Sequence, residues 1–149
     1  MPYEIRVEQV EPKPMIAVRR KASPPQLPEV IPKALGPVWD FIRARHVPHT
    51  GINVAYYLDG EINLELGVYV SGPFVPSGEI VSCATPGGMV AAATHFGPYN
   101  RLGDAHHALH EWSRIEGRRF AGPSWEVYGH WDDDPAKLRT DVFYLLEGA

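Results

Sequence analysis

One order of predicted elements occurs twice along the chain, and this repeat limits the possible folds more than any other feature. Met15-Ile16-Ala17-Val18-Arg19 resembles Met89-Val90-Ala91-Ala92-Ala93. Each run is followed by a helical pattern that carries a tryptophan, Trp39 or Trp112, and then by two strand patterns joined by a turn. The order strand, helix, strand, strand therefore occurs in two pseudo-repeats, over about residues 1–72 and 79–149.

Hydrophobic spacing predicts the individual elements. Apolar residues recur at helical spacing over about residues 27–45 and 99–116, and Gly117 is a natural stop for the second helix. Pro37 is expected to kink or interrupt the first helix. Asp59-Gly60 is typical of a tight hairpin turn. Strands are predicted over residues 3–10 (at an edge), 51–58, 62–70, 122–128 and 138–146.

These elements predict an α+β fold in a single domain. Two strand-helix-strand-strand modules related by a pseudo-twofold axis would form a mainly antiparallel sheet, with helices on one face and a ligand cleft on the other. A chain of 149 residues is long enough to bury a hydrophobic core.

Composition excludes several classes of function. The net charge is -4 and the basic residues form only short pairs, so a nucleic-acid-binding surface is not expected. Cys83 is the only cysteine, which excludes an intramolecular disulfide and fits a reducing compartment. Neither a signal peptide nor a membrane span is recognisable. We therefore expect a soluble, cytoplasmic protein that does not contact a membrane.

Strand alternation divides the side chains between the two faces of the predicted sheet. Residues 62, 64, 66, 68 and 70 are all apolar and are expected to pack on the helices, as are Trp125 and Val127. The opposite face would then carry Glu126 among aromatic rings, with Gly67 leaving room. The residues predicted to line this cleft are Asn53, Ala55, Tyr57, Glu65, Gly67, Tyr69, Glu126, Tyr128 and Phe143.

Glu126 is the principal candidate for a functional group. Ala55 is its counterpart in the first repeat, so the charge is asymmetric in an otherwise repeated scaffold. A carboxylate in an aromatic cleft loses hydration, and an organic cation would compensate for that loss. Glu126 on a solvated sheet surface is the alternative, and the same applies to Glu65. The tyrosines could equally form a dimer contact.

A metal site or a reactive cysteine is not favoured. His106 and His110 have the i, i+4 spacing of a ligand pair, but nothing nearby completes a ligand set, so a solvated helix face is expected. His95 could line the mouth of the cleft. Cys83 has no histidine partner in the sequence around it. No cofactor is predicted.

The chain resembles the GyrI-like small-molecule-binding domain, the effector-binding domain of multidrug-responsive bacterial regulators. Three stretches carry the resemblance: Ala91-Ala92-Ala93-Thr94-His95-Phe96-Gly97-Pro98-Tyr99, Trp125-Glu126-Val127-Tyr128, and the ending from Asp134-Pro135 to Phe143-Tyr144. It implies two strand-helix-strand-strand modules around a shared cleft. It also implies a bulky, lipophilic and often cationic small-molecule ligand whose charge faces the glutamate matched by Glu126.

Departures and alternatives accompany this resemblance. Asp141 replaces a common glutamate, and Leu145-Leu146 replaces a frequent Ile-Pro. The residues before Met15 are too few for the DNA-binding helix-turn-helix of the regulators, so direct binding to nucleic acid is not expected. Some relatives hydrolyse strained electrophiles such as cyclopropane-bearing alkylators; Glu126 with Tyr69 or Tyr128 would be the corresponding pair here. A gyrase-inhibitor-like module that binds a protein partner is a third possibility.

Overall fold

The computed structural model of the chain describes residues 3–59, 63–130 and 132–148. Within these ranges one antiparallel sheet of eight strands packs with two helices, so the predicted α+β class is confirmed. The strands are β1 (Arg6–Val10), β2 (Lys13–Lys21), β3 (His49–Tyr57), β4 (Asn63–Val70), β5 (Val81–Thr85), β6 (Gly88–Phe96), β7 (Phe120–Tyr128) and β8 (Arg139–Leu146). The helices are α1 (Leu27–Arg45) and α2 (Gly103–Glu116).

The order of the strands reflects a pseudo-twofold relation between the two modules. The sheet runs β1-β6-β8-β7-β3-β4-β2-β5, so each module contributes three adjacent strands in mirrored order. The axis passes between β3 and β7, where Ala55 lies directly opposite Glu126. The strand that precedes each module pairs with the other module, since β1 pairs with β6 and β5 with β2. The edge position predicted for the first strand is confirmed.

Both helices lie where the spacing predicts them, with small differences at their ends. Of the two effects expected of Pro37, a kink or an interruption, the interruption does not occur, because α1 runs past this proline. The segment Tyr99–Arg101 forms a 3-10 turn, and α2 begins only at Gly103. Gly117 ends α2 with φ of 65°, a conformation that glycine adopts without strain. The predicted hairpin turn through Gly60 and the strand start at residue 62 lie outside the described residues.

The two helices cover the same face of the sheet. Ala34, Val38 and Ile42 of α1 pack against β2, β3 and β4, and Ala105 and Leu109 of α2 pack against β6 and β8. Burying each of the larger side chains stabilises the fold by roughly 1.5–3 kcal/mol. We call this surface of the sheet the helix face.

The opposite surface, which we call the inner face, is also buried. β1 and β2 are six places apart in the strand order, a distance of about 29 Å in a flat sheet, yet only Glu11 and Pro12 connect them. A link this short spans roughly 11 Å, so the sheet must curl until its edges approach each other. The inner face then encloses two clusters without any covering helix, one around Met15 and Tyr69 and one around Tyr56 and Trp125.

The faces predicted for β3 and β7 are wrong. Ala55 lies opposite both Leu66 and Glu126, so these side chains share the helix face, whereas Tyr56 and Trp125 pair on the inner face. The prediction assumed that Trp125 marks the helix side. That criterion fails because both faces are apolar and buried. The faces predicted for β4 and β8 are confirmed.

Gly67 has a different role from the one predicted. A Cβ at this position would lie 1.8 Å from the carbonyl oxygen of Ile16, on the neighbouring strand β2. Gly67 therefore permits the close approach of two backbones and does not leave room for a ligand.

No helix within the described residues is long and apolar enough to cross a membrane.

Candidate functional site

Glu126 lies on the pseudo-twofold axis, in the middle of the sheet and beneath helix α2. It belongs to β7, and its residue is only 4% exposed. Its neighbours in the same row of the helix face are Ala55 on β3 and Val142 on β8. The carboxylate is therefore the charged group in a row of otherwise apolar side chains.

Three hydrogen bonds hold the carboxylate. The hydroxyl of Tyr57 donates to Oε1 at 2.8 Å and that of Tyr128 donates to the same oxygen at 2.5 Å. Nε2 of His106 donates to Oε2 at 2.5 Å. Both oxygens thus have partners, and the compensation that burial of a carboxylate requires comes from within the protein.

The two tyrosines follow from the repeat. Tyr57 is two residues beyond Ala55, and Tyr128 is two residues beyond Glu126, so they are equivalent positions in the two modules. The pseudo-twofold axis brings equivalent side chains together at the centre of the sheet. Glu126 breaks the symmetry between them and accepts from both.

His106 contradicts the prediction of a solvated helix face. It projects from α2 toward the sheet, and its Nδ1 lies 2.6 Å from the hydroxyl of Tyr144. His110 contacts the rings of Tyr144 and Phe120 at centroid distances of 5.1 and 5.4 Å. No cluster of three potential metal ligands occurs among the residues that the structure describes.

The sequence contained a signal for His106 that the helix-face argument missed. His106 follows Leu102 by four residues and precedes Leu109 by three, so it falls on the apolar stripe of α2. The expectation of a solvated helix face put this histidine on the opposite side. Tyr144, the other partner of the imidazole, was correctly expected to face the helices.

Electrostatics favour an ionised Glu126. Burial acts to raise the pKa of this carboxyl, but the hydrogen bond and charge of His106, together with the two tyrosine hydroxyls, outweigh burial and leave the pKa below its usual value. Burial and the charge of Glu126 raise the pKa of Tyr57, Tyr128 and Tyr144. The tyrosines therefore remain neutral donors beside a carboxylate.

An aromatic ring and a buried hydroxyl without a hydrogen-bond partner lie next to Tyr128. Tyr99, at the start of the 3-10 turn, contacts the ring of Tyr128 edge-on at 5.7 Å. Thr140 lies next to Tyr128 on the neighbouring strand and is fully buried. Its Oγ1 has no hydrogen-bond partner among the described residues. A buried hydroxyl without a partner is unfavourable by about 1–3 kcal/mol.

An open groove of about 630 Å³ lies beside the start of α2. His95 lines it, with Nδ1 2.8 Å from the hydroxyl of Tyr3 and Nε2 3.1 Å from the carbonyl oxygen of Pro98. His95 lies opposite Thr140, which in turn lies opposite Tyr128. His95 thus lies two strands from Tyr128, and its place at the mouth of a ligand cleft stays a prediction.

The sheet separates the predicted site residues into two groups. Asn53, Ala55, Tyr57 and Tyr128 share the helix face with Glu126, although Asn53 accepts a hydrogen bond from Trp39 at 2.9 Å. The other four predicted residues lie on the inner face: Glu65, Gly67, Tyr69 and Phe143. The expectation of one cleft around all of them is therefore wrong.

On the inner face, the predicted residues already have partners. Glu65 accepts from Nε of Arg19 at 3.0 Å, Tyr69 shares a hydrogen bond with Thr85 at 3.0 Å, and Phe143 stacks on Trp125 at 5.5 Å. Glu65 and Asp141 are paired within their own modules, since Asp141 accepts from Thr94 at 2.7 Å.

A family model agrees with this architecture over nearly the whole chain. The model of the GyrI-like small-molecule-binding domain matches residues 3–146. The chain belongs to the GyrI-like family. No curated protein matches the chain in sequence. As a GyrI-like domain it is a small-molecule-binding domain, and the resemblance stated from its motifs is confirmed.

Solved structures share the fold of this GyrI-like domain at low sequence identity. The C-terminal domain of EcmrR superimposes with a TM-score of 0.83 at 19% identity, covering 100% of both chains. The EcmrR chain in an EcmrR–DNA complex gives a TM-score of 0.83 at 16% identity, and the match covers 100% of this chain and 59% of EcmrR. SAV2435 bound to tetraphenylphosphonium gives 0.68 at 12% identity, covering 97% of this chain and 94% of that one. A hydrolase from Listeria innocua gives 0.60 at 13%, covering 99% and 94%.

Proposed function

We propose that this GyrI-like domain binds bulky, lipophilic, cationic small molecules, with Glu126 as the charge anchor and the ligand between α2 and the sheet. The buried carboxylate on the pseudo-twofold axis is the observation that carries the proposal. Among the helix-face residues of the central row it is the only charged one, and the repeat itself supplies Ala55 at the equivalent position. A scaffold that needs only packing has no use for a carboxylate there.

Electrostatics support a cationic ligand over an anionic or neutral one. Glu126 is ionised at neutral pH because its pKa is lowered, and its charge lies in a poorly hydrated environment where attraction to a cation is strong. Tyr57, Tyr128 and Tyr144 lie around Glu126 and His106, and each cation–π contact between a ligand and one of their rings would add about 0.5–2 kcal/mol. A lipophilic cation would satisfy both features.

The proposed binding surface differs from the cleft predicted from the sequence. It comprises Glu126, Tyr57 and Tyr128, with Tyr144 and Tyr99 on the side of α2. The residues of the inner face are left out because the sheet lies between them and Glu126. The neighbour SAV2435, whose structure contains tetraphenylphosphonium, shows the kind of compound to test first.

The experiment compares a cation with a neutral compound of similar shape. Methyltriphenylphosphonium and triphenylphosphine oxide are titrated into the wild type, Glu126→Gln and Glu65→Gln by calorimetry. Glu65 is a matched control because it is equally buried but lies on the inner face. We expect Glu126→Gln to weaken binding of the phosphonium by about 10- to 100-fold and to change binding of the oxide by less than about threefold. Equal losses for both compounds would exclude an electrostatic role.

Hydrolysis of strained electrophiles at the same carboxylate is the second candidate. The hydroxyl of Tyr128 at 2.5 Å from Oε1 of Glu126 favours it, since a carboxylate and a phenol in contact can accept and return a proton. Tyr69 is excluded as the partner because it lies on the inner face. The lowered pKa of Glu126 makes it a weak base, which favours binding over hydrolysis. Turnover of a cyclopropane-bearing alkylator that is lost in Glu126→Gln and in Tyr128→Phe would support the enzyme.

The biological setting of this binding is part of the proposal. As an effector-binding domain it would report a ligand to a separate partner protein or sequester the compound. Its cytoplasmic location remains a prediction from the sequence.

A further inference from the structure

We propose that His106 is an internal competitor for the ligand: in the free protein its imidazolium occupies the position at Glu126 that a cationic ligand takes, and affinity for cations therefore rises with pH. The inference rests on the proposed function of Glu126 and adds how that site is regulated. It starts from the bond between Nε2 of His106 and Oε2 of Glu126, at 2.5 Å.

The carboxylate has no other place for a cation. Oε1 already accepts from Tyr57 and Tyr128, whereas Oε2 accepts only from His106 among the described residues. Glu126 is 4% exposed, so a ligand cannot add to the existing arrangement from solvent. A cation that approaches Oε2 must displace the imidazole.

The surroundings of His106 accept both of its charge states. Because a carboxylate only accepts, Nε2 carries a proton. Nδ1 lies 2.6 Å from the hydroxyl of Tyr144, which accepts from the imidazolium or donates to the neutral ring. The charged form has two acceptors in place, one of them an ionised carboxylate. His106 thus supplies the cation that Glu126 requires when no ligand is bound.

The other titratable groups around the imidazole cannot take over this role. On the sheet the ring faces Glu126, Tyr57, Tyr128 and Tyr144, and the tyrosines stay neutral because their pKa values are raised. On β6, His95 is held by Tyr3 and the carbonyl of Pro98.

On α2 itself, the neighbours are His107, which is exposed, and His110, whose pKa is lowered by burial and by the two other histidines. Arg101 and Asp104, at the start of the helix, pair with each other at 2.8 Å.

His106 is also the partner that can move. Tyr57 and Tyr128 are on the central strands β3 and β7, which are hydrogen-bonded on both sides. His106 is at the end of the first turn of α2, which begins at Gly103 without any side-chain cap. The preceding 3-10 turn is largely exposed. Local opening of this end of α2 is therefore the least unfavourable way to free Oε2.

The pseudo-repeat shows that packing does not require a histidine here. The number of residues between Ala55 and Glu126 also separates two pairs of buried helix residues, Ala34 from Ala105 and Val38 from Leu109. At the same spacing, the position equivalent to His106 is Leu35 in α1. One module thus has Leu35 and Ala55 at the two positions at which the other module has His106 and Glu126. The helix and the strand thus depart from the repeat together.

Linkage gives the direction of the pH effect. If a ligand cation displaces a protonated imidazole that then loses its proton, binding releases up to one proton, and the dissociation constant falls by up to about tenfold for each unit of rising pH. Glu126 does not contribute between pH 5.5 and 8 because its pKa lies below its usual value.

The test uses tetraphenylphosphonium, whose charge does not titrate, in calorimetry on the whole chain between pH 5.5 and 8. The proteins are the wild type, His106→Gln, Glu126→Gln and the matched control His107→Gln, which changes the adjacent exposed histidine. Proton release is obtained from titrations in buffers of different ionisation enthalpy. We expect wild type and His107→Gln to bind at least about tenfold more tightly at pH 8 than at pH 5.5, with proton release at the acidic end. His106→Gln should bind tightly at both pH values without releasing a proton.

The outcomes separate the two proposals. Binding that depends on pH to the same extent in His106→Gln as in the wild type overturns the competition and leaves the charge anchor intact. Equal binding by the wild type and Glu126→Gln overturns the anchor and with it the competition. Absence of binding by both the wild type and His106→Gln has the same consequence. A cation that binds His106→Gln but not the wild type at pH 5.5 supports both.

Discussion

Replacement of Glu126 by glutamine should destabilise the free protein at neutral pH, because the glutamine keeps the shape of the side chain and removes its charge. Hydrogen bonds to a charged group contribute about 1.5–3 kcal/mol and those between neutral groups about 0.5–1.5 kcal/mol. Three bonds converge on this carboxylate, so roughly 3 kcal/mol of attraction is lost. Relief from burying a charge offsets part of this loss. The net destabilisation should be about 2 kcal/mol, or roughly 4–8 °C in Tm for a chain of this length.

The pH dependence distinguishes this explanation from a simple packing defect. The pKa of Glu126 is lower in the folded protein than its ordinary value of 4.5. The carboxylate therefore stabilises the fold above about pH 4.5, and this contribution is lost as the pH falls through the lowered pKa. Under those acidic conditions the wild type also carries a neutral side chain at position 126. The difference in unfolding free energy between wild type and Glu126→Gln should shrink toward zero.

Urea unfolding followed by tryptophan fluorescence, to which the buried Trp125 contributes, provides the measurement between pH 7.5 and pH 3. Glu116→Gln, which changes an exposed carboxylate at the end of α2, serves as the control and should leave the urea midpoint unchanged at neutral pH. A difference between Glu126→Gln and wild type that grows as the pH falls would refute the electrostatic reasoning. So would a variant that is more stable than the wild type at pH 7.

Three further predictions concern the scaffold. Gly67→Ala should destabilise the fold by about 3 kcal/mol or more in urea unfolding, because its Cβ would overlap the backbone of β2. The control is Gly103→Ala, where nothing lies within 4 Å of the new Cβ and stability should change by less than about 1 kcal/mol. Equal destabilisation by both variants would contradict the steric explanation. Thr140→Val should stabilise the free protein by about 1 kcal/mol because it removes a buried hydroxyl without a partner, and a loss of similar size would show that the hydroxyl is already satisfied. Burial and the nearby charge of Glu65 raise the pKa of Cys83 to about 12, so iodoacetamide should label this thiol at pH 7.5 only after unfolding; rapid labelling of the folded protein would contradict this.

The elements and their order could be predicted because they depend on local patterns. The spacing of apolar residues along residues 27–45 is a property of the segment alone, and α1 spans that range. The repeat likewise predicted the pairing of the modules, and the match of Ala55 to Glu126 is the central pair of the sheet. Glu126 could be singled out for the same reason, since a comparison of the two repeats in the sequence is enough to show a charged residue in one and an alanine in the other.

The site could be predicted only in part because alternation does not say which face is which. Alternation correctly separated Glu126 and Tyr128 from Trp125, but the choice of the helix side rested on hydrophobicity. In a flat sheet with one solvated face that criterion would have succeeded. Here the inner face is buried as well, so Tyr69 and Phe143 were joined to a carboxylate that lies on the other side of the sheet.

The sequence alone determined the class of fold, the repeat, the family and the unusual position of Glu126. Each of these depends only on residue types and their spacing along the chain. Only the tertiary structure decided that Glu126 faces α2 and that His106 occupies it. A link of two residues between β1 and β2 curls the sheet and buries both of its faces. Burial is a property of the closed sheet and not of any single strand, and the contact between His106 and Glu126 exists only once α2 lies across that sheet.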